Sequence, residues 1–183
     1  MTLPPRLAVI LTPERHSVLF ALKGIIAMSL ALYLAMLMQL ERPYWALISA
    51  VFLQVRPETG LVIEKGLCQI GGTLVGGAMG LLILATLLPY PFMALLALTL
   101  WIGLNAAASA WVRQANFIYG FAMAGITATL IVVISIANPT TTSSVGIFNL
   151  ANDRVSEIIV GAVCATLVSN LLWPVRVSHF LQK

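Results

Sequence analysis

The sequence predicts an all-α membrane protein, a bundle of six transmembrane helices that pack through faces of small residues. Hydrophobic residues make up 60% of the 183-residue chain and charged residues only 9%, whereas soluble domains carry roughly 25% charged residues. A chain this short leaves much of its surface exposed, so that surface must face lipid. Within lipid every backbone polar group must pair inside the protein, and a helical bundle pairs them most economically.

Six apolar segments are the predicted helices, and all but the second are long enough to cross a bilayer core of about 30 Å. In chain order they cover residues 17–38, 43–55, 63–88, 91–111, 116–137 and 153–173. Residues 138–152 are the one long polar loop in this prediction.

The second segment is too short to cross comfortably, because a helix of about twelve apolar residues rises only about 18 Å. Polar, charged and turn-forming residues then end it: Gln54, Arg56, Pro57, Glu58 and Gly60. Local thinning of the bilayer, or burial of the segment's end against other helices, would make up the difference. Tyr44 and Trp45 predict an aromatic anchor at one membrane interface. Short interrupted segments also occur at substrate sites of transporters, and an ordinary short helix is the alternative.

The distribution of basic residues predicts the orientation. With six crossings one side holds both termini and seven basic residues, namely Arg6, Arg15, Arg56, Lys65, Arg113, Arg176 and Lys183. The other side holds two, Arg42 and Arg154. This bias places both termini in the cytoplasm and favours a second segment that crosses. The expected organisation is a cytoplasmic N-terminal segment (1–16), a six-helix membrane domain (17–174) and a truncated cytoplasmic C-terminal end (175–183).

Small residues recur on three of the predicted helices. Helix packing in lipid depends on such residues, because lipid tails are as apolar as leucine. The third segment carries Gly72, Gly76 and Gly80 at a spacing of four. Matching stripes are Gly120, Ala124 and Ala128 on the fifth segment and Gly161, Ala165 and Ser169 on the sixth. The stripes predict contact faces in a compact bundle, with Gly72, Gly76, Gly80 and Gly161 as packing residues.

The sequence contains no residue combination typical of an enzyme. His16 and His179 lie in the terminal segments, and Cys68 and Cys164 are isolated within apolar runs without metal-ligand spacing. We therefore expect a protein that is not an enzyme and that binds no metal, cofactor or nucleic acid.

Charged residues inside apolar segments are the candidate functional residues, since lipid makes them expensive. Lys23 either extends its side chain back to the surface or faces the bundle interior, where it would bind an anion. Asp153, Arg154 and Glu157 open the sixth segment, where carboxylates are favoured by the helix dipole. Glu157 lies one turn inside, so it either pairs with Arg154 or stays neutral, as burial favours.

These alternatives define two candidate sites. The substrate-binding candidates are Lys23, Arg154 and Arg56, and the proton-coupling candidates are Glu157 and Asp153. Arg56 belongs to a mixed-sign cluster after the short segment, for which a solvated cytoplasmic loop is the alternative.

Several motifs in order resemble the fusaric acid resistance, or aromatic acid exporter, family over essentially the whole chain. They are P-Y-W-A at 43–46, V-R-P-E-T-G at 55–60, Gly-Gly-Thr at 71–73, D-R-V-S-E-I-I-V-G at 153–161 and the closing Trp173-Pro174. The resemblance is to the N-terminal membrane half of that family. It implies an inner-membrane efflux component for aromatic carboxylic acids such as fusaric or hydroxybenzoic acid. It also implies coupling to the proton gradient and a membrane fusion protein as partner.

The chain departs from the family pattern in two respects. Family members are usually longer, with a cytoplasmic domain and a second membrane half, so the chain is expected to be part of such a protein. Many members also place an arginine where this chain has Gln69, which removes one anion-binding position. An anion channel and a non-transporting assembly subunit are the alternative functions, and the sequence leaves substrate identity and homo-oligomerisation open.

Overall fold

The computed structural model describes residues 15–54, 59–138 and 143–172, and this part of the chain consists of helices and short turns. The six helices are α1 (Arg15–Leu37), α2 (Tyr44–Leu53), α3 (Thr59–Leu87), α4 (Pro91–Trp111), α5 (Ala115–Ala137) and α6 (Ser144–Leu171). The described residues form no strand, which confirms the predicted all-α class. Five helices are long and apolar enough to cross a membrane, whereas α2 is not. The chain is thus a multi-pass membrane protein.

The last helix begins earlier than the sequence predicted. The prediction of a polar loop over 138–152 and of a helix start at Asp153 is wrong, because α6 begins at Ser144. Ser143 is its N-cap, and the Ser143 Oγ accepts a hydrogen bond from the Gly146 N–H at 3.1 Å. Such a cap satisfies one of the unpaired amides of the first turn. The polar residues that suggested a loop therefore include this cap, and the helix continues through them.

The turn between α1 and α2 is a tight helix-terminating motif. Gln39 has a φ of 52°, and the Gln39 N–H donates to the Met36 carbonyl while the Leu40 N–H donates to the Ala35 carbonyl. This is the Schellman pattern, in which a left-handed residue ends the helix and a following apolar residue packs back. Leu40 packs against the apolar cluster that contains Ala35. The chain can therefore reverse direction within a few residues and start α2 directly.

The small-residue faces of α3 and α5 meet along their length. A Cβ atom built on Gly72 would overlap the Gly120 carbonyl oxygen, and one on Gly76 would overlap the Ala124 carbonyl oxygen. A Cβ on Gly80 would lie 3.4 Å from the Ala128 Cα. The two backbones thus approach closely, as small residues permit in membrane helices. This pairing gives the bundle its most extensive helix contact.

The helix α2 packs against α6 in the same manner. A Cβ on Gly161 would overlap the Ala46 carbonyl oxygen and would lie 2.6 Å from the Ser49 Cβ. Alanines of α1 and α2 surround this contact together with Leu53 and Ala165, and all are buried. The α1–α2 hairpin is therefore held against α6 by close backbone packing.

The α1–α2 turn lies deep within the bundle and not at its end. The Arg42 N–H donates to Glu157 of α6, and Glu157 is thirteen residues from the start of that helix. Val155, two residues before Glu157 on α6, lies 3.0 Å from a Cβ built on Gly77 of α3, so Gly77 is close to the level of the turn. Helix α3 continues for ten residues beyond Gly77. At about 1.5 Å per residue, α3 and α6 extend roughly 15–20 Å past the turn. The turn that carries Tyr44 therefore does not lie at the level of the outer ends of α3 and α6, and α2 is too short to be a candidate membrane span by length.

Candidate functional site

A buried ion pair occupies the middle of α6. The Arg154 Nη1 lies 2.9 Å from the Glu157 Oε2, and the Arg154 Nη2 donates a hydrogen bond to the Glu157 Oε1 at 3.2 Å. The Arg154 side chain is 1% exposed and that of Glu157 is fully buried. The spacing of three residues places both groups on one face of the helix. Because α6 starts at Ser144, the dipole of a helix start does not explain these charges.

The backbone of the α1–α2 turn completes the coordination of Glu157. The Arg42 N–H donates to the Glu157 Oε1 at 2.8 Å, so one carboxylate oxygen accepts from both α6 and the turn. The other oxygen, Oε2, accepts no hydrogen bond from the described residues. Glu157 therefore links two structural units, and its Oε2 faces the Arg154 Nη1 at 2.9 Å.

An indole ring lies beside the guanidinium. The Arg154 Cζ is 5.8 Å from the ring centroid of Trp45, within the range of a cation–π interaction. The Arg154 Nε has no hydrogen-bond acceptor among the described residues, and the Nη1 makes the 2.9 Å ion contact with the Glu157 Oε2. Since a guanidinium offers five donors in a planar fork, Arg154 retains donors for a further acceptor next to an aromatic surface.

Further charges surround the pair on three elements. Asp153 lies one turn from Glu157 on α6 and is partly exposed. The charged and titratable groups that act on the pair are Asp153 on α6, Glu41 and Arg42 on the turn, and Tyr44 at the start of α2. Opposite charges thus converge where the α1–α2 turn meets the middle of α6.

The other predicted substrate residues do not join this site. Lys23 is buried on α1. It lies near the level of Gln54, because a Cβ built on the adjacent Gly24 would be 4.0 Å from the Gln54 Oε1. That position is fourteen residues before the end of α1, roughly 20 Å from the turn. Arg56 lies outside the described residues. The predicted set of Lys23, Arg154 and Arg56 is therefore not one site within the described residues.

Sequence reasoning missed the contribution of the α1–α2 turn. Arg42 was assigned to a loop and Trp45 to a membrane interface, whereas both contact the ion pair. The short second segment was the available signal, because a helix that cannot span the bilayer must begin or end inside it. The sequence did not show which of its ends lies inside.

A cavity of about 540 Å³ lies elsewhere, between α3, α4 and α5. Its lining includes Trp101, Asn105, Phe117 and Phe121, and none of the predicted substrate or proton residues. Within the described residues, no group of three or more His, Cys, Asp or Glu side chains is placed to bind a metal ion.

Comparison with known proteins identifies relatives for most of the chain. Residues 17–183 match the model of the fusaric acid resistance protein family. The chain is 37% identical to the uncharacterized transporter YdhK of Escherichia coli K12 over 153 residues, which is 84% of this chain and 22% of that protein. It is 32% identical to the p-hydroxybenzoic acid efflux pump subunit AaeB of Citrobacter koseri over 163 residues, 85% of this chain and 24% of that protein. The chain thus spans less than a quarter of the length of these relatives.

Proposed function

Because the chain belongs to the fusaric acid resistance protein family, we propose that it is a membrane part of an efflux transporter for aromatic carboxylic acids. In this proposal Arg154 binds the carboxylate of the substrate and Glu157 carries the coupling proton. The buried Arg154–Glu157 pair is the observation that carries it. The name of the relative AaeB, a p-hydroxybenzoic acid efflux pump subunit, supports the substrate class.

The surroundings of Arg154 suit an aromatic acid. A carboxylate can accept a hydrogen bond from the Arg154 Nε, which has no acceptor among the described residues, and can replace Glu157 at the Nη1. Charge-assisted hydrogen bonds of this kind are strong. The Trp45 ring lies next to the same guanidinium and offers a face for an aromatic ring. Arg154 would bind the carboxylate of the substrate, and Trp45 would pack against its aromatic ring.

The pairing of Glu157 with Arg154 provides a way to couple the two ligands. A substrate carboxylate that binds Arg154 competes with Glu157 for the guanidinium. Glu157 would then be a buried carboxylate without a cation, and burial favours its protonated form. Binding of the substrate and binding of a proton are therefore linked, whereas a channel would need no titrating carboxylate.

The orientation and partners follow the same proposal. The chain would lie in the bacterial inner membrane with both termini in the cytoplasm. Lys65 and Arg113 lie at the end of the bundle where α3 and α5 begin, which the positive-inside rule places in the cytoplasm. The α1–α2 turn would then open toward the periplasm, where a membrane fusion protein would receive the substrate.

The test uses the protein expressed from its complete gene and reconstituted in liposomes, with p-hydroxybenzoate as the probe. Glu157→Gln should abolish transport driven by a pH gradient while it preserves exchange of labelled for unlabelled substrate. Glu64→Gln, which changes a partly exposed carboxylate on α3, is the matched control and should retain both activities. Wild-type pH dependence in Glu157→Gln would contradict the proposed coupling.

A second variant protects the test against misfolding. Glu157→Gln leaves Arg154 as a buried unpaired charge, and removal of one partner of a buried pair costs about 3–5 kcal/mol. The double variant Arg154→Gln with Glu157→Gln removes both charges and should fold without binding p-hydroxybenzoate. If the folded double variant bound the probe normally, the substrate site would lie elsewhere.

A further inference from the structure

A line of buried polar side chains follows the junction of α2, α3 and α6. We call it the polar seam and define it as Ser49 on α2, Gln54 at the C-cap of α2, Gln69 and Thr73 on α3, and Ser169 on α6. Each of these side chains is at most 7% exposed. We infer that the polar seam is a water-accessible route by which a proton reaches Glu157 from the end of the bundle at which α2 ends. This inference rests on the proposed role of Glu157 as the proton carrier.

The seam residues bond across helices. The Gln69 Nε2 donates to the Ser49 Oγ at 3.1 Å, which joins α3 to α2. The Gln54 Nε2 donates to the Ser169 Oγ at 3.4 Å, which joins α2 to α6. These two bonds place polar atoms from three helices on one interior surface.

Several hydroxyl groups elsewhere in the bundle bond within their own helices, while Thr127 and Ser135 of α5 are buried without a partner among the described residues. Thr86, Thr99, Ser109 and Thr129 donate to backbone carbonyls three or four residues earlier in their own helices. A hydroxyl bonded in this way presents little polarity to its surroundings. The polar groups of the seam face one another across helix boundaries, so the seam is polar toward the space between helices.

The seam leads from Glu157 toward the end of the bundle. Ser49 lies against Gly161, one helical turn from Glu157, since a Cβ on Gly161 would lie 2.6 Å from the Ser49 Cβ. Ser169 is twelve residues from Glu157 on the same helix, or about 18 Å along its axis. Thr73 lies one turn after Gln69 on the same face of α3, in the direction of Gly77. The seam thus extends over much of the distance from the ion pair to the end of α2.

Two atoms of the seam have unused hydrogen-bonding capacity. The Gln69 Oε1 and the Thr73 Oγ1 are buried and have no hydrogen-bond partner among the described residues. A buried polar group without a partner is unfavourable in an apolar environment, and buried water commonly satisfies such groups. The two atoms lie on consecutive turns of α3, between the outer end of the seam and the level of Glu157. Water bound there would form a chain that delivers a proton to the Glu157 Oε2.

The other face of the site is formed by the α1–α2 turn. The α1–α2 turn reaches Glu157 from the opposite direction, roughly 15–20 Å below the far ends of α3 and α6. The polar seam therefore reaches Glu157 from one end of the bundle, and the α1–α2 turn reaches it from the other. The charged groups that act on Glu157 are Arg154 and Asp153 on its own helix and Arg42 on the turn, whereas Glu41 on the turn and Tyr44 on α2 act on Arg154.

The first experiment measures water access directly and requires no transport. In the complete protein with Cys68→Ala and Cys164→Ala, single cysteines are introduced as Ser49→Cys and Gln69→Cys. A membrane-impermeant methanethiosulfonate is applied to vesicles of either orientation. Both cysteines should be modified from the side at which α2 ends. Ala31→Cys is the matched control, because Ala31 is fully buried within the apolar cluster of α1, α2 and α6, and it should remain unmodified.

The second experiment separates this inference from the proposed function. The double variant Ser49→Ala with Gln69→Leu removes the polar atoms at the middle of the seam, and the hydrogen bond between these two residues involves neither Arg154 nor Glu157. It should lose transport driven by a pH gradient while exchange of p-hydroxybenzoate persists. Modification of neither cysteine, or equal modification of the control, would overturn the route. If the cysteines are modified while Glu157→Gln retains wild-type pH dependence, the proposed proton carrier is wrong and the water route stands.

Discussion

Replacement of Gly76 by alanine tests the α3–α5 interface with the smallest possible change. A Cβ atom at Gly76 would overlap the Ala124 carbonyl oxygen and would lie 2.9 Å from both the Ala124 carbonyl carbon and its Cα. All three atoms belong to the backbone of α5, so no side chain can rotate away. The helices α3 and α5 must separate locally, and the same movement disturbs the hydrogen bond that Trp101 donates to the Ala124 carbonyl at 3.3 Å.

The size of the effect follows from the cost of overpacking. An added methyl group in a well-packed interior destabilises a protein by about 1–3 kcal/mol, and the absence of a movable neighbour places Gly76→Ala toward the upper part of this range. For a domain of 150–250 residues, 1 kcal/mol changes the melting temperature by about 2–4 °C. We therefore expect Gly76→Ala to lower the melting temperature by roughly 4–12 °C.

Gly71 provides the matched control on the same helix. A Cβ atom at Gly71 would meet nothing within 4 Å, so alanine adds no clash there. Glycine inside a helix is less favourable than alanine by about 0.5–1 kcal/mol, and Gly71→Ala should therefore leave stability unchanged or raise it. Thermal unfolding of the detergent-solubilised protein, followed by size-exclusion chromatography with fluorescence detection, measures both variants. Equal melting temperatures for Gly76→Ala and Gly71→Ala would refute close α3–α5 packing at this position.

Three further predictions concern the α1–α2 hairpin and the topology. Gly161→Ala should lower the melting temperature, because its Cβ would overlap the Ala46 carbonyl oxygen and would separate α2 from α6; an unchanged melting temperature would contradict that packing. Gln39→Gly should raise the melting temperature and Gln39→Val should lower it, since the φ of 52° suits glycine and costs a branched residue about 1–2 kcal/mol; the opposite order would argue against the Schellman turn. A cysteine at Gln114 in the α4–α5 turn should react with an impermeant reagent only from the cytoplasm, and labelling from outside intact cells would reverse the proposed orientation.

Much of the fold was predictable because lipid imposes simple rules on sequence. Long apolar runs that end at prolines gave the approximate limits of α3, α4 and α5. The spacing of four between small residues on the third and fifth segments predicted contact faces, and in the structure these faces meet each other. Backbone pairing within each helix leaves few alternative folds in a bilayer, so composition and periodicity were sufficient at this level.

The candidate site was less predictable because it depends on depth, which composition does not encode. Arg154 and Glu157 were recognised as charges in an apolar segment, but the polar residues before them suggested that the helix starts there. The cap at Ser143 moves the start of α6 by nine residues relative to Asp153. This difference converts a charged helix start near the surface into an ion pair halfway along a spanning helix. Trp45 and Arg42 could not be assigned to the pair without knowledge of that depth.

The short length of α2 and the burial of the ion pair have one physical explanation. A second helix long enough to span would carry apolar side chains past Glu157 and would leave the carboxylate without a backbone donor. Because α1 ends in a tight turn at Gln39, the chain instead presents the Arg42 N–H to Glu157 and the Trp45 ring to Arg154. A buried charged pair is tolerated only where additional hydrogen bonds satisfy its remaining atoms, and the deep turn supplies such a bond. Lengthening α2 by one turn at its N-terminal end should therefore destabilise the pair even though it makes the helix a better membrane span. The double variant Arg154→Gln with Glu157→Gln should tolerate the same insertion better, and equal loss of stability in both backgrounds would show that the turn serves packing alone.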